Sequence, residues 1–347
     1  MADRTGMLRP PYARSWVNIL IDWVERLPGP PWAAYLIALV LALLISAIQY
    51  LISGMRLDEI PVSSAAWAFA LVGSIWLIHY LDHVARGALR DFAALLDVDE
   101  AMLTRLRYDL TVIPARPAVV LLAISAFRTT EAFAFQAGSE EIGGLTAPGL
   151  AIRWTFETAL VALIFVLLYH TVRQLRLVSK IHGMAPEINL FRPAPMYAFS
   201  RLTSRTAIGL VVLIIPFNGP LALSTSALDY VVVLTFPGFI LATALLAFVW
   251  PLVGMHRRMD LERKRLQGEV GQRIEAVIVD LHAAVDRRDL SEADGHNKVL
   301  ASLIAERDLV HRFSTWPWQA GTAGAVISAV LLPIALLLAS RLLERLV

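Results

Sequence analysis

Six windows of this chain, residues 32–53, 64–83, 150–170, 206–223, 230–255 and 319–343, are each long and apolar enough to cross a lipid bilayer. A spanning helix needs about 20 mostly apolar residues, because a hydrocarbon core of about 30 Å is covered at about 1.5 Å per residue. Hydrophobic residues make up 57% of the 347 and charged residues 17%, against roughly 45–50% and about 25% in globular proteins. With a mean hydropathy of +0.61, most of this apolar surface has to find a solvent other than water. The expected fold class is therefore all-α, a polytopic membrane helix bundle.

A seventh window, 111–130, is less regular. Arg116 stands between Pro114 and Pro117, and the uninterrupted run 117–127 is about half of a span. Crossing is the expected behaviour, with a re-entrant segment packed inside the bundle as the alternative. The basic residues favour seven crossings. Loops alternating on one side (the N-terminus and the stretches 83–116, 170–205 and 255–318) hold 26 of the 31 Lys and Arg residues, whereas the opposite loops hold only Arg56. Such asymmetry predicts a cytoplasmic N-terminus and an outside C-terminus. Arg341 and Arg345 then lie at the outer end of the last helix, where long side chains reach headgroups and Glu344 offsets part of their charge.

No signal peptide is expected, since the first thirty residues lack a short apolar run followed by a small-residue cleavage site. Residues 15–27 instead predict a short helix closed by Pro28-Gly29-Pro30-Pro31. Trp16, Trp23 and Trp32 suit the headgroup boundary. Residues 1–31 are thus read as an interfacial anchor, 32–254 as spans one to six, 255–318 as a cytoplasmic helical extension and 319–347 as the last span. The absence of cysteine excludes disulfides and thiolate metal sites, and a net charge of +2 gives no reason to expect a nucleic-acid partner.

Within the extension, Leu266, Val270, Ile274, Val277, Ile278, Leu281 and Val285 recur at helical spacing, and Glu269 with Arg273 forms an i,i+4 pair. The pattern breaks at 287–290. Ser291 with Asp294 reads as a capping box opening a second helix through Val299, Leu300, Leu303, Val310 and Phe313. Eleven basic and eleven acidic residues across 255–318 fit a solvated helical hairpin; any surplus apolar stripe would meet a neighbouring subunit or the 84–110 and 181–200 loops. Those loops read as short helices beneath the membrane, the first capped by Asp97 or Asp99. Ser314-Thr315-Trp316-Pro317-Trp318 reads as a turn pinned at the interface. No internal repeat is visible, which disfavours an inverted-repeat transporter.

Three constellations are candidates for chemistry. Arg128 and Glu131 end the third segment, Arg153 and Glu157 begin the fourth, and Phe127, Phe133, Phe135, Trp154 and Phe156 surround them. They read either as two structural ion pairs or as a small-molecule pocket near the outer face. His79, Asp82 and His83 share a helix face at the inner end of the second span, with His170 at similar depth on the fourth; they are structural or, alternatively, the ligands of a metal or haem. Gly321, Gly324, Ser328, Ala335 and Ala339 form a small-residue stripe on the last span, bent by Pro333. Such a stripe either lets helices pack closely or lines a narrow pore if several copies surround an axis. No hydrolase, zinc-protease or phosphate-loop motif is present, so a non-enzymatic protein without a cofactor is expected.

In plan the chain resembles insect olfactory and gustatory receptor channels. The shared features are seven helices, a cytoplasmic N-terminus, an outside C-terminus and a helical cytoplasmic extension before the final helix. The resemblance is one of topology along the whole chain. It implies four subunits meeting through the 255–313 hairpin, a cation pore lined by 319–343, and a ligand site around 127–157. The gustatory Thr-Tyr and Gln-Phe signature is missing, since residues 326–337 contain neither tyrosine nor glutamine. The leading expectation is a homo-oligomeric ion channel or ligand-responsive pore. Its rivals are a membrane scaffold or sensor binding a partner through residues 256–313, and a metal- or haem-dependent membrane enzyme.

Overall fold

Lipid offers no hydrogen-bond partners to a backbone, so a segment that crosses it has to satisfy its own N–H and C=O groups. In the computed structural model, which describes residues 10–61, 63–136, 144–186, 188–217, 227–319 and 321–344, the described residues form helices and no named strand. The ten α-helices among the described residues are α1 (Trp16–Arg26), α2 (Pro31–Leu51), α3 (Ser63–Phe92), α4 (Glu100–Thr111), α5 (Ala115–Gln136), α6 (Ala147–Met184), α7 (Ala198–Ile214), α8 (Ala227–Asp286), α9 (Leu290–His311) and α10 (Thr322–Glu344). Five stretches, Pro31–Leu51, Ser63–Leu95, Ala115–Gln136, Ala147–Met184 and Gly238–Asp286, are long and apolar enough to cross a membrane. The chain is by this measure a membrane protein. Of the two other expected spans, 206–223 is represented by the 17-residue α7, its end from 218 lying outside the described residues along with Arg345. The last is represented by α10, whose apolar part is Thr322–Leu336.

Helix boundaries follow local chemistry. The Ser15 side chain accepts from the Asn18 N–H to start α1, and Asp99, one of two candidates, accepts from Met102 N at 2.8 Å to start α4. The second hairpin helix is capped earlier than the Ser291–Asp294 box predicts. Asp289 accepts from Glu292 N at 3.0 Å, because Arg288 takes the left-handed conformation (φ 59°) and turns the chain there. The third span is likewise shifted. It starts at Ala115 and runs 22 residues as one helix, with Pro117 in the first turn, where a missing N–H leaves no intrahelical bond unmade. That length suits a crossing and not a re-entrant piece.

The second and fourth spans outrun their windows, and so does the fifth. α7 begins at Ala198, so residues 198–205, expected within a separate short helix of the 181–205 loop, are continuous with the span window. Phe199 and Leu202 are fully buried, with the Phe199 ring 5.2 Å from Phe92 and 5.3 Å from His182. α7 packs against α3, α8 and α10, and α6 against α2, α3 and α5. α2 by contrast exposes Leu36, Ile37, Val40, Leu41, Leu44, Ile45 and Ile48, a row suited to hydrocarbon. Where α6 crosses α2 the backbones nearly touch: a Cβ on Gly149 would stand 2.9 Å from the Gln49 carbonyl oxygen and 2.5 Å from Ser53 Oγ. Gly149→Ala is therefore expected to destabilise by about 1–3 kcal/mol, read as a lowered unfolding midpoint in detergent. An unchanged midpoint would mean that the crossing can widen freely.

The fifth clear window and the first hairpin helix are one element. α8 is 60 residues long, about 90 Å, and passes from the bundle into the extension without a break. α9 returns along it, burying Val270, Ala284 and Val310 but leaving Leu261, Val279, Val299 and Leu309 exposed. The 314–318 turn is held by ring stacking. Trp316 lies 4.0 Å from His256 and 4.4 Å from Trp318, and Trp318 lies 5.2 Å from Phe248, centroid to centroid. The turn thus binds α10 to the middle of α8.

Candidate functional site

α10 meets the bundle with one face. Val326, Val330 and Pro333 are buried, at positions that project to one side of a helix with 3.6 residues per turn. Gly324, Ser328, Ala335 and Ala339 project to the opposite side and are exposed, as is Gly321 just ahead of the helix at φ 88°. A bulky stripe there would be covered by lipid. The small residues instead form a shallow groove, flanked by exposed Leu331 and Leu332, that another helix backbone can approach closely.

The two outer ion pairs close within their own helices. Arg128 pairs with Glu131, and Arg153 Nε donates to Glu157 Oε1 at 2.8 Å. Trp154 joins the helices, its Nε1 donating to Thr130 Oγ1 at 3.0 Å. Phe127 and Phe135 are exposed, and the described cavities, of about 20 and 280 Å³, are lined by other residues. The geometry found is that of two clasped helices.

The histidine constellation is divided in two. His170 Nε2 and Asp82 Oδ1 share a hydrogen bond of 2.8 Å, both groups buried. His79 turns the other way: Nδ1 lies 2.9 Å from the Tyr35 hydroxyl and Nε2 lies 3.1 Å from Glu25 Oε1. Both of its nitrogens are thereby engaged, and His83 is exposed. No group of three or more His, Cys, Asp or Glu residues poised for a metal occurs among the described residues. His79, Asp82, His83 and His170 therefore do not form one ligand set. A helix face shared in sequence does not ensure a shared target: His79 meets Tyr35 and Glu25, whereas Asp82 meets His170.

What spacing alone missed is a polar knot at the base of α4, α5 and α6. The Arg173 guanidinium donates to the Asp109 and Val112 carbonyl oxygens at 2.7 and 2.8 Å, and also to the Tyr12 hydroxyl and the Asp109 carboxylate. Tyr12 in turn donates to Asp109 Oδ1 at 2.9 Å. Burial pushes the Tyr12 phenol well above the ordinary tyrosine range, with the Arg173 charge opposing. Backbone bonds from Ser15 N to Ile113 O and from Ala115 N to Ala13 O, each 3.0 Å, splice the N-terminal arm into the α4–α5 junction. Asn18 Oδ1 accepts from Ile113 N at 2.9 Å. The available signal was Arg173 itself, an arginine one turn past a span with no partner nearby in sequence. Compared with protein-family models, curated proteins and solved structures, the chain matches none.

Proposed function

We propose that this chain is a seven-span membrane protein, N-terminus inside and C-terminus outside, that assembles from identical subunits into an ion channel or ligand-responsive pore with α10 beside the central axis. The observation that carries the reading is the small-residue groove of α10: Gly324, Ser328 and Ala335 lie on the side turned away from buried Val326, Val330 and Pro333, between exposed Leu331 and Leu332. A second copy placed against that stripe buries a surface that one chain leaves open. The exposed Leu261, Val279, Val299 and Leu309 of the hairpin support contact between subunits on the cytoplasmic side. The same four residues favour the rival reading, a scaffold that binds a different protein there. No enzymatic step is assigned.

Because the chain has no native cysteine, single substitutions report proximity directly. Ser328→Cys is expected to give disulfide-linked dimers on mild oxidation in membranes, whereas Val330→Cys, on the bundle side, stays monomeric. Reconstituted protein should then conduct in planar bilayers and show rotational symmetry in particle images. A monomer, or equal cross-linking at both positions, rules the arrangement out. A symmetric assembly without conductance would favour the scaffold.

A further inference from the structure

α6 and α8 run side by side toward the hairpin and enclose a cavity of about 280 Å³ between them, near the lower end of the range for small-molecule sites. One wall carries Thr171, Leu175, Arg176 and Ser179 of α6 and the other Leu246 and Trp250 of α8. No lining residue is acidic. Thr171 is 1% exposed and closes the deep end of the cavity. Leu246 and Trp250 are exposed, so the cavity opens sideways, where the bilayer would lie.

Charge selects the occupant. Arg176, Lys180 one turn further along α6 and Arg257 two turns beyond Trp250 on α8 are all exposed. None has an ion pair among the described residues. From the apolar end toward the hairpin, α6 presents Leu175, Arg176, Ser179 and Lys180 in turn and α8 presents Leu246, Trp250 and Arg257, so the wall changes from apolar side chains to the three cations. That sequence of chemistries matches a phospholipid read from acyl chain to phosphate.

We infer that this cavity binds an anionic phospholipid of the leaflet on the hairpin side. The phosphate meets Arg176, Lys180 and Arg257, and Ser179 donates to a phosphate oxygen. One acyl chain lies along Leu175 and Leu246. The inference requires α6 and α8 to be spans; it is independent of pore formation and of which side is cytoplasmic.

The full-length protein is reconstituted in phosphatidylcholine vesicles carrying a small fraction of either brominated phosphatidylglycerol or brominated phosphatidylcholine, and tryptophan quenching is followed. Both lipids should quench the lipid-exposed tryptophans, and phosphatidylglycerol should quench an additional component that disappears in Trp250→Phe. Arg176→Gln with Lys180→Gln should weaken the phosphatidylglycerol-specific component roughly thirtyfold and leave the shared component unchanged. If the double variant fails to fold, Arg257→Gln serves, with a smaller loss expected. Equal quenching by the two lipids, selectivity that survives the charge substitutions, or displacement by soluble glycerol 3-phosphate overturns the lipid assignment. Quenching by neither lipid would instead reject α6 and α8 as spans.

Discussion

Asp82→Ala is expected to lower stability by about 3–5 kcal/mol, the usual cost of removing one member of a buried pair. His170 is 1% exposed and Asp82 4% exposed, with Nε2 and Oδ1 2.8 Å apart. His170 Nδ1 is already buried without a partner, so truncating Asp82 strands both imidazole nitrogens in an apolar cavity. His170→Ala should be costly for the mirror reason, since it leaves the carboxyl group without its hydrogen-bond partner. Replacing both together by leucine is expected to recover most of the loss, because two apolar side chains of similar bulk ask nothing of the bundle. Unfolding midpoints in detergent of the unaltered chain, the two alanine variants and the double leucine variant test this. A single substitution that leaves the midpoint unmoved would show that water reaches this pair, and that the packing of α3 on α6 is looser than its geometry implies.

The second large effect concerns Arg173. Its guanidinium serves the Asp109 and Val112 carbonyls, the Asp109 carboxylate and the Tyr12 hydroxyl. Arg173→Ala leaves these acceptors short of donors and unties the N-terminal arm from the α4–α5 junction, a loss of about 3 kcal/mol if the carbonyls stay dry. Arg173→Lys should rescue little, since a single ammonium cannot span the fork-shaped set of acceptors. The specific readout is proteolysis: trypsin should cut at Arg14 faster in Arg173→Ala than in the unaltered chain, while cuts in the α8–α9 hairpin keep their rate. The knot also carries a pH signature. Because burial raises the Tyr12 phenol, the folded chain holds that proton more tightly than the unfolded chain does. The resulting stabilisation is complete at neutral pH and is lost as pH climbs above the ordinary tyrosine range of about 10. Arm release should therefore rise in alkali, and Tyr12→Phe should flatten that part of the profile.

Two ends of α8 and α9 illustrate how far local pattern carries. The apolar repeat from Leu266 to Val285 announces a helix whatever surrounds it, since 3.6-residue spacing is a property of the chain itself. Where the helix begins is another matter. Pro251 and Gly254, just before Met259, are stop signals by sequence, yet the helix does not stop; it continues back through the membrane window as one 60-residue rod. The start of α9 was misplaced by two residues because Asp289 and Ser291 are both good caps, and the choice fell to the backbone turn at Arg288.

The candidate sites divide the same way. The helical nature of the chain, its five long apolar helices and the ion pairs Arg128–Glu131 and Arg153–Glu157 were legible from composition and spacing, because they depend on contacts within about one turn. The partners of His79, Asp82, His170 and Arg173 were not, because each partner lies on another helix and tens of residues away. Helix rotation about its own axis decides such meetings, and that angle is set by how side chains such as Phe92, Phe199 and Leu202 interlock in the core. The exposed side of α10 belongs to this second class: the stripe is written in residues 321–339, but only the packing of Val326, Val330 and Pro333 determines that it points outward.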